Sequence, residues 1–513
     1  MIKRFDNIRL SVTEPEANLI KVVQKKLGGK IGYFKILKKS LDARDKRNIV
    51  WLYSVACSNG EEREPQPRFE KISSPPTVAV IGGGPAGLFC AVRLIEHGFR
   101  PLIIERGGRV EERRLSCSEF FERRRLDTES NVQFGEGGAG AFSDGKLVTR
   151  TKDGLNRDVL SLFVRFGAPQ DVLYLNKPHV GSDRLYDVLR ALRAFVEANG
   201  GCYMFDTKVC GLGIEDGSLT SLTVQNVKSG QSREIKVDCA VLAVGHSARD
   251  TYEMLAEAGV VMEPRDFAVG VRIEHPADAI GFAQYGEKYK LLPTADYSLV
   301  SHAHERTVFT FCMCPGGVVV PAASEEGGVV VNGMSLRARD GRNSNSALMV
   351  QMRREDFGAS DLFAGVRFQR ELERKAFALG GSNYSAPCQL YGDFARDRLS
   401  QGFAGVKPTY AAGTAFAPLA ELLPRVAAEA LKAAIPDMGK RLKGFDSSEA
   451  LLTGVESRFS SPVKILRGQD LQSVTIKNLY PCGEGSGYSG GITSSAADGL
   501  NVAERIFARY SGI

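Results

Sequence analysis

Ile8, Leu10 and Val12 alternate with polar residues, the pattern of a half-buried strand. Glu14-Pro15-Glu16 predicts a helix start, with proline in the first turn and acids at its positive end. Leu19, Ile20, Val22, Val23 and Leu27 continue at helical spacing until Gly28-Gly29. Tyr33-Phe34 and Ile49–Tyr53 read as further strands, so residues 1–60 are expected to form a small α+β domain. Residues 61–76, polar and ending in Pro75-Pro76, read as a linker.

The pattern then changes. Four apolar residues, Val78–Ile81, run into Gly82-Gly83-Gly84-Pro85-Ala86-Gly87, and a helix is predicted from about Ala86 to His97, stopped by Gly98. Pro101–Ile104 is the next strand. The charged stretch Arg109–Arg125 carries Val110, Leu115, Phe120 and Phe121 and predicts a helix with one apolar side. Asn131–Lys146 is rich in glycine and shows almost no helix or strand period, so its backbone N–H groups are expected to stand free for a ligand. Helices are predicted over 155–166 and 183–198, the second with a stripe of Leu185, Val188, Leu189, Leu192 and Val196.

From Tyr203 to Val237 short strands are separated by turn signals at Glu215-Asp-Gly and Lys228-Ser-Gly, a β-meander. Asp238–Gly245 is a buried strand ending in glycine. Residues 264–400 mix strand-like runs, Thr307–Met313 and Gly327–Val331 among them, with polar loops, and are assigned to a second domain. Residues 416–434 suggest helices. Asn478–Gly485 is a strand ending in glycine and acid, followed by Gly487–Thr493 and a small-residue helix through Ala503.

A chain of 513 residues has room for two or three domains. No apolar run approaches the roughly 20 residues of a membrane span. The N-terminus has early charges and no apolar core, so no secretory signal is expected. Ten scattered cysteines without C-x-x-C pairs suit free thiols in a reducing compartment, and the expected location is the cytoplasm, or a plastid or other organelle for a eukaryotic source. The net charge of +7 is uneven: residues 1–60 hold 13 Lys/Arg against 5 Asp/Glu, leaving the remainder near neutral. A solvated face of the small domain accounts for this better than nucleic acid, because no aromatic-interleaved RNA motif accompanies it.

Gly82, Gly84 and Gly87 have the G-x-G-x-x-G spacing between strand and helix. The first makes the sharp turn, the second lets a pyrophosphate touch the backbone, and the third lets helix and strand pack closely. The helix behind them, opening at Pro85-Ala86, points its positive end at the phosphates. Glu105 ends the second strand, where a carboxylate meets the hydroxyls of an adenosine ribose. The motif alone says dinucleotide. Arg106 beside Glu105 and Gly138 in the glycine-rich segment join this set, as does Gly245 at the end of its strand.

At the other end of the chain, Gly483-Glu484 resembles the Gly-Asp that closes a late strand in FAD enzymes of the glutathione-reductase-like class, with glutamate in place of aspartate. Gly491-Ile492 then opens a helix, as that class does beside the flavin's N1 edge. More narrowly, the chain resembles the bacterial and plastid-type FAD-dependent dehydrogenases, a family of NAD(P)/FAD-dependent oxidoreductases. The motifs that carry this are Lys38–Arg44, Asn131–Lys146, Phe311–Gly317, Val331–Met334, Leu452–Arg458 with Ser460–Pro462, and Gly483–Gly499. The resemblance covers nearly the whole chain. It implies an α/β fold: a Rossmann-like FAD-binding domain of parallel sheet plus β-meander in two parts, 77–262 and 474–513, an inserted α+β substrate domain over 263–473, and the small N-terminal α+β domain. It implies FAD as cofactor, and by analogy Val209 as a backbone contact for the adenine.

Candidates for chemistry follow. Lys146 could bring a cation to flavin or substrate, or be a surface charge. Cys312 and Cys314 form C-x-C on a predicted strand, where alternation would put both on one face; a redox pair or nucleophile is weighed against inert packing. Glu456, Arg458 and Ser460 are candidates for the substrate side, with Arg458 suited to an anion and a structural ion pair the alternative. His246 is read as fixing backbone. His302 and His304 are too few for a metal, and none is expected. There is no C-x-x-x-x-C near the first helix, which argues against a flavin disulfide reductase, and no second G-x-G-x-x-G, which leaves NAD(P)H at most a transient donor. The expected activity is an FAD-dependent oxidoreductase acting between a small organic substrate and an acceptor. The rival expectations are an RNA-acting flavoprotein and a non-catalytic assembly or regulatory flavoprotein.

Overall fold

A computed structural model describes residues 2–62, 68–149, 154–358 and 361–512. The middle of the expected linker, 63–67, lies outside the described residues.

The N-terminal unit is a three-stranded antiparallel sheet in the order Lys3–Ser11, Val50–Ser58, Tyr33–Asp42. The helix Asn18–Leu27 packs Leu19, Val23 and Leu27 onto it, and Gly28 closes the helix in the left-handed conformation. The helix starts after Glu14-Pro15-Glu16, which lie in a turn where the Asn18 N–H bonds back to the Pro15 carbonyl.

Five parallel strands form the nucleotide sheet, in the order Leu479–Pro481, Cys239–Leu242, Val78–Ile81, Leu102–Ile104, Cys202–Met204. Short, wholly apolar runs such as Val78–Ile81 suit a sheet buried on both faces. The helix Pro85–Glu96 covers one face with the C-terminal helix Ile492–Ser511 packed on it; a Cβ on Gly499 would lie 2.1 Å from the Ala86 carbonyl oxygen. That C-terminal helix runs past Ala503 to Ser511. All five residues of the Leu185 stripe are buried on the helix Ser182–Ala198. The meander Thr207–Glu215, Ser218–Asn226, Ser232–Lys236 lies on the other face, through a core that includes Leu219, Leu222 and Val224.

The helix Val110–Arg123 forms as expected, but Leu115 is 70 % exposed and the buried face is Val110, Arg113, Cys117 and Phe120. The buried set follows the helical 3–4 spacing from Val110, and Leu115 lies off that stripe.

The other large unit is a seven-stranded sheet in the order Val300–Ser301, Val308–Cys314, Asn343–Met352, Phe267–Pro276, Leu451–Glu456, Ala386–Leu390, Thr414–Phe416, antiparallel except for the last pair. The helix Arg425–Arg441 contributes Ala427, Leu431, Ala434, Ile435 and Met438 to its core. The run Gly327–Val331 is not a strand: the strand is Val331–Met334, since Gly327 sits in a turn at φ +69. The alternation expected of Thr307–Met313 also fails. A bulge lies between Phe311 and Cys314, and Cys312 has φ +41, so the two cysteines do not share a face.

Candidate functional site

The carboxyl ends of the parallel strands, the glycine-rich segment and the inserted sheet enclose one cavity of about 1090 Å³, at the upper end of ligand sites in general. Its first wall is backbone. Gly82 sits at φ +109, where a side chain is strained, and a Cβ there would lie 2.4 Å from the Ala243 carbonyl oxygen on the neighbouring strand. A Cβ on Gly87 would lie 2.0 Å from the Gly82 carbonyl oxygen, so only glycine lets the helix approach its own turn. Gly84 differs: the nearest atom to a Cβ is 3.7 Å away, and the space above it opens on the cavity. Gly82 and Gly87 thus have the turn and close-packing parts their spacing predicts. Pro85 and Ala86 line the cavity beside them.

Glu105 lies at this wall, but its carboxylate also holds the turn together. Oε2 accepts from the Gly83 N–H at 2.7 Å, and Oε1 accepts from Gly107 at 3.0 Å and Gly135 at 2.9 Å. Arg106 lines the cavity with its guanidinium paired to Glu129 at 2.7 Å and to Asp250 at 2.8 Å, over the Phe134 ring. Gly138, Val209 and Gly245 all line it too.

The glycine-rich segment is not a loose cradle of free N–H groups. Gly135 N–H goes to Glu105, Glu136 N–H to the Gly108 carbonyl, and Gly137 N–H to the Gly83 carbonyl. At its centre the fully buried Arg113 donates to the carbonyls of Asn131 at 2.8 Å, Val132 at 2.9 Å and Glu136 at 2.7 Å. Burial pulls the Arg113 guanidinium below its ordinary range, and these carbonyl dipoles compensate it. Sequence reasoning missed Arg113, since one arginine among many in a charged helix carries no local mark.

Glu484 and the N-terminus Gly491-Ile492 of the last helix complete the near end. Gly483, at φ +79, donates its N–H to Asp498 of that helix at 2.8 Å. The Glu484 carboxylate lies 3.2 Å from His246 Nδ1, which leaves His246 Nε2 buried, without a partner and on the cavity wall. An orphaned imidazole nitrogen, open space over Gly84 and a helix N-terminus together fit a ligand with hydroxyl and phosphate groups, as FAD has.

The far wall is built from side chains of the inserted sheet. Arg272, fully buried, pairs with Glu456 at 2.7 Å and donates to Asn332 at 2.9 Å, Asn345 at 3.0 Å and the Cys312 carbonyl at 2.9 Å. Burial pushes the Glu456 carboxyl up against the pull of Arg272. Cys312 faces the cavity half-buried, whereas Cys314 is buried behind it. Lys146 bonds the Met313 carbonyl and lies 3.1 Å from Asp144. Phe309, Phe311 and Phe459 form an apolar side, with Phe311 and Phe459 at 4.5 Å.

Arg458 reaches the cavity but is held in a buried fork to Glu373, at 3.0 and 2.9 Å, that also takes Arg249. The two arginines hold the Glu373 carboxyl well below its usual range despite burial. Ser460 is not among the residues brought to the cavity. His302 and His304 lie outside it as well, and no group of three potential metal ligands occurs among the described residues.

Models of known families match three stretches: a domain of unknown function over 1–58, the pyridine nucleotide-disulphide oxidoreductases over 76–253, and the FAD-dependent protein, C-terminal domain-like family over 266–459. Among solved structures, the chain is similar to the flavin-dependent brominase Bmp2 (11 % identity, 86 % of this chain and 80 % of that one, TM-score 0.40). It is also similar to a flavoprotein/dehydrogenase from Cytophaga hutchinsonii (12 %, 85 % and 79 %, TM-score 0.37). Fold, cavity and family models define a flavoprotein of the FAD-dependent oxidoreductase class, with FAD as its cofactor. A protein of Clostridium beijerinckii described as uncharacterized is 44 % identical over 99 % of both chains, and this chain belongs to the same family of FAD-dependent proteins. No helix among the described residues is long and apolar enough to cross a membrane.

Proposed function

We propose that the protein moves a hydride or electron pair between a small organic substrate and an acceptor by way of bound FAD. The observation that carries this reading is the single cavity joining the glycine turn at Gly82–Gly87 to a reactive wall at Lys146, Cys312 and Glu456. FAD supplies the two-electron chemistry; the protein supplies position and field. Gly82, Gly84, Gly87 and Glu105 would hold the adenosine and pyrophosphate, with Arg106, Gly138, Val209 and Gly245 around them. Glu484 and His246 would hold the ribityl chain or phosphate. The N-terminus at Gly491-Ile492 would stabilise negative charge at the flavin's N1 edge. The substrate would enter between the Phe309, Phe311 and Phe459 side and Lys146. Arg458 contributes less to an anionic substrate than its type suggests, since Glu373 already satisfies it.

Electrons would arrive from a nicotinamide dinucleotide docking transiently, or from the organic substrate itself. Anaerobic titration with NADH, NADPH and a panel of metabolites, followed by flavin absorbance, tests this. Bleaching by one donor, and recovery with one acceptor, is the expected result. A flavin that no organic donor reduces would refute it.

A further inference from the structure

The absence of C-x-x-x-x-C beside the first helix argued against thiol chemistry, yet the fold brings another thiol pair to the same cavity from the opposite domain. The bulge at Phe311–Cys314 and the positive φ of Cys312 turn its side chain toward the cavity. Positive φ on a non-glycine residue costs free energy and is held here from both sides: Arg272 binds the Cys312 carbonyl at 2.9 Å and Lys146 binds that of Met313. Cys314 stays fully buried, its sulfur 3.2 Å from the Cys312 carbonyl oxygen.

The two thiols are unlike. The Cys314 S–H donates to the Cys312 carbonyl. The adjacent Cys314 thiol and the positive charge of Arg272 and Lys146 hold the Cys312 thiol below its usual range, against burial and Asp144. Glu456 faces the same spot, paired with Arg272. Cys314 is pushed up by its contact with Cys312 and by burial. An accessible thiolate backed by a buried thiol is the arrangement of an attacking and a resolving cysteine.

We propose that Cys312 and Cys314 are a dithiol–disulfide centre and that the substrate class is a small organic disulfide, a reading that rests on the proposed oxidoreductase function. The Cys312 thiolate attacks one sulfur of the ligand; the ligand's S–S bond breaks, a mixed disulfide forms on Cys312, and the leaving thiolate takes a proton. Cys314 gives up its proton and attacks the Cys312 sulfur, which releases the second thiol and leaves a Cys312–Cys314 disulfide. The ligand gains two electrons and two protons. The pair returns to the dithiol by taking two electrons through the FAD site from a nicotinamide-type donor, and two protons from water.

The test uses the full-length, FAD-loaded chain with 4,4′-dithiodipyridine, followed by peptide mass mapping. Beyond the thiopyridone released by the exposed Cys202 and Cys210, the wild type should release two further equivalents, and the peptide carrying Cys312 and Cys314 should keep no adduct, two mass units lighter than its dithiol. Cys314→Ser should release one further equivalent and keep the adduct on Cys312. The alkylation rate of Cys312 should fall less than about tenfold between pH 8 and pH 5, while that of a simple cysteine peptide falls by several hundredfold. A stable adduct on wild-type Cys312, or an alkylation profile that follows the peptide, would overturn the proposal. These readouts need no turnover. Exchange without flavin reduction would remove the donor reading and leave the thiol centre standing; flavin reduction without exchange would do the reverse.

Discussion

The two walls of the cavity are made in opposite ways. Around Gly82–Gly87 the protein presents backbone, and the essential feature is the absence of side chains: two of the three motif glycines leave no room for a Cβ, and the third leaves open space on the cavity. Opposite, around Arg272, the protein presents fully buried charge, met by the side chains of Glu456, Asn332 and Asn345 and by the Cys312 carbonyl, all from distant segments. At Gly82 and Gly87 the first wall has no room for an added atom; at Arg272 the second depends on each partner.

That contrast can be broken at four places. The largest effect is expected at Gly87→Ala, where the new methyl would lie 2.0 Å from the Gly82 carbonyl oxygen. We expect loss of about 3 kcal/mol or more in stability, and a protein purified without flavin, read by denaturant unfolding and the flavin spectrum. Next, Arg272→Met strands the Glu456 carboxylate and should cost about 3–5 kcal/mol, while Arg272→Met with Glu456→Leu should recover most of it. A double variant as unstable as the single one would show that the pair does more than neutralise itself.

Third comes acid. His275, fully buried in the inserted sheet, has one imidazole nitrogen 2.7 Å from the Phe445 carbonyl, and burial pulls its pKa down to about 4. Below an unfolded value of about 6.5 the unfolded chain takes up the proton first. Stability is therefore whole above about pH 6.5 and is lost as the pH falls toward 4, by on the order of 1–3 kcal/mol. His275→Gln should flatten that part of a stability–pH profile. The smallest effect on the fold is at Gly84→Ala, whose methyl has room. Its unfolding should shift by less than about 0.5 kcal/mol, while FAD affinity measured by fluorescence titration drops about 10- to 100-fold.

Legibility followed the same division. The strand–turn–helix at 78–96 and the Leu185 stripe were readable because period and glycine spacing are local. Thr307–Met313 was read as a strand, but not its bulge, and that one extra residue decides which cysteine meets the cavity. Within Asn131–Lys146 the N–H groups of Gly135–Gly138 go to Glu105 and to neighbouring carbonyls instead of standing free, which the glycine spacing does not reveal. The ion pair weighed for Arg458 is the arrangement found, but its partner Glu373, the second arginine Arg249, and the segment's organiser Arg113 carry no local signal in the sequence.

The sequence by itself determined most of the elements, the glycine turn and the late Gly483-Glu484 and Gly491-Ile492, whose Glu484, Gly491 and Ile492 line the same cavity as that turn. Those features depend on φ, on steric room and on hydrophobic period, which act between near neighbours. Only the tertiary structure decided which charges are neutralised, which imidazole nitrogen lacks a partner at His246, and which thiol meets the cavity at Cys312. Electrostatics and burial depend on distance in space, and Arg272 meets Glu456 across 184 positions of chain that carry no local trace of the meeting.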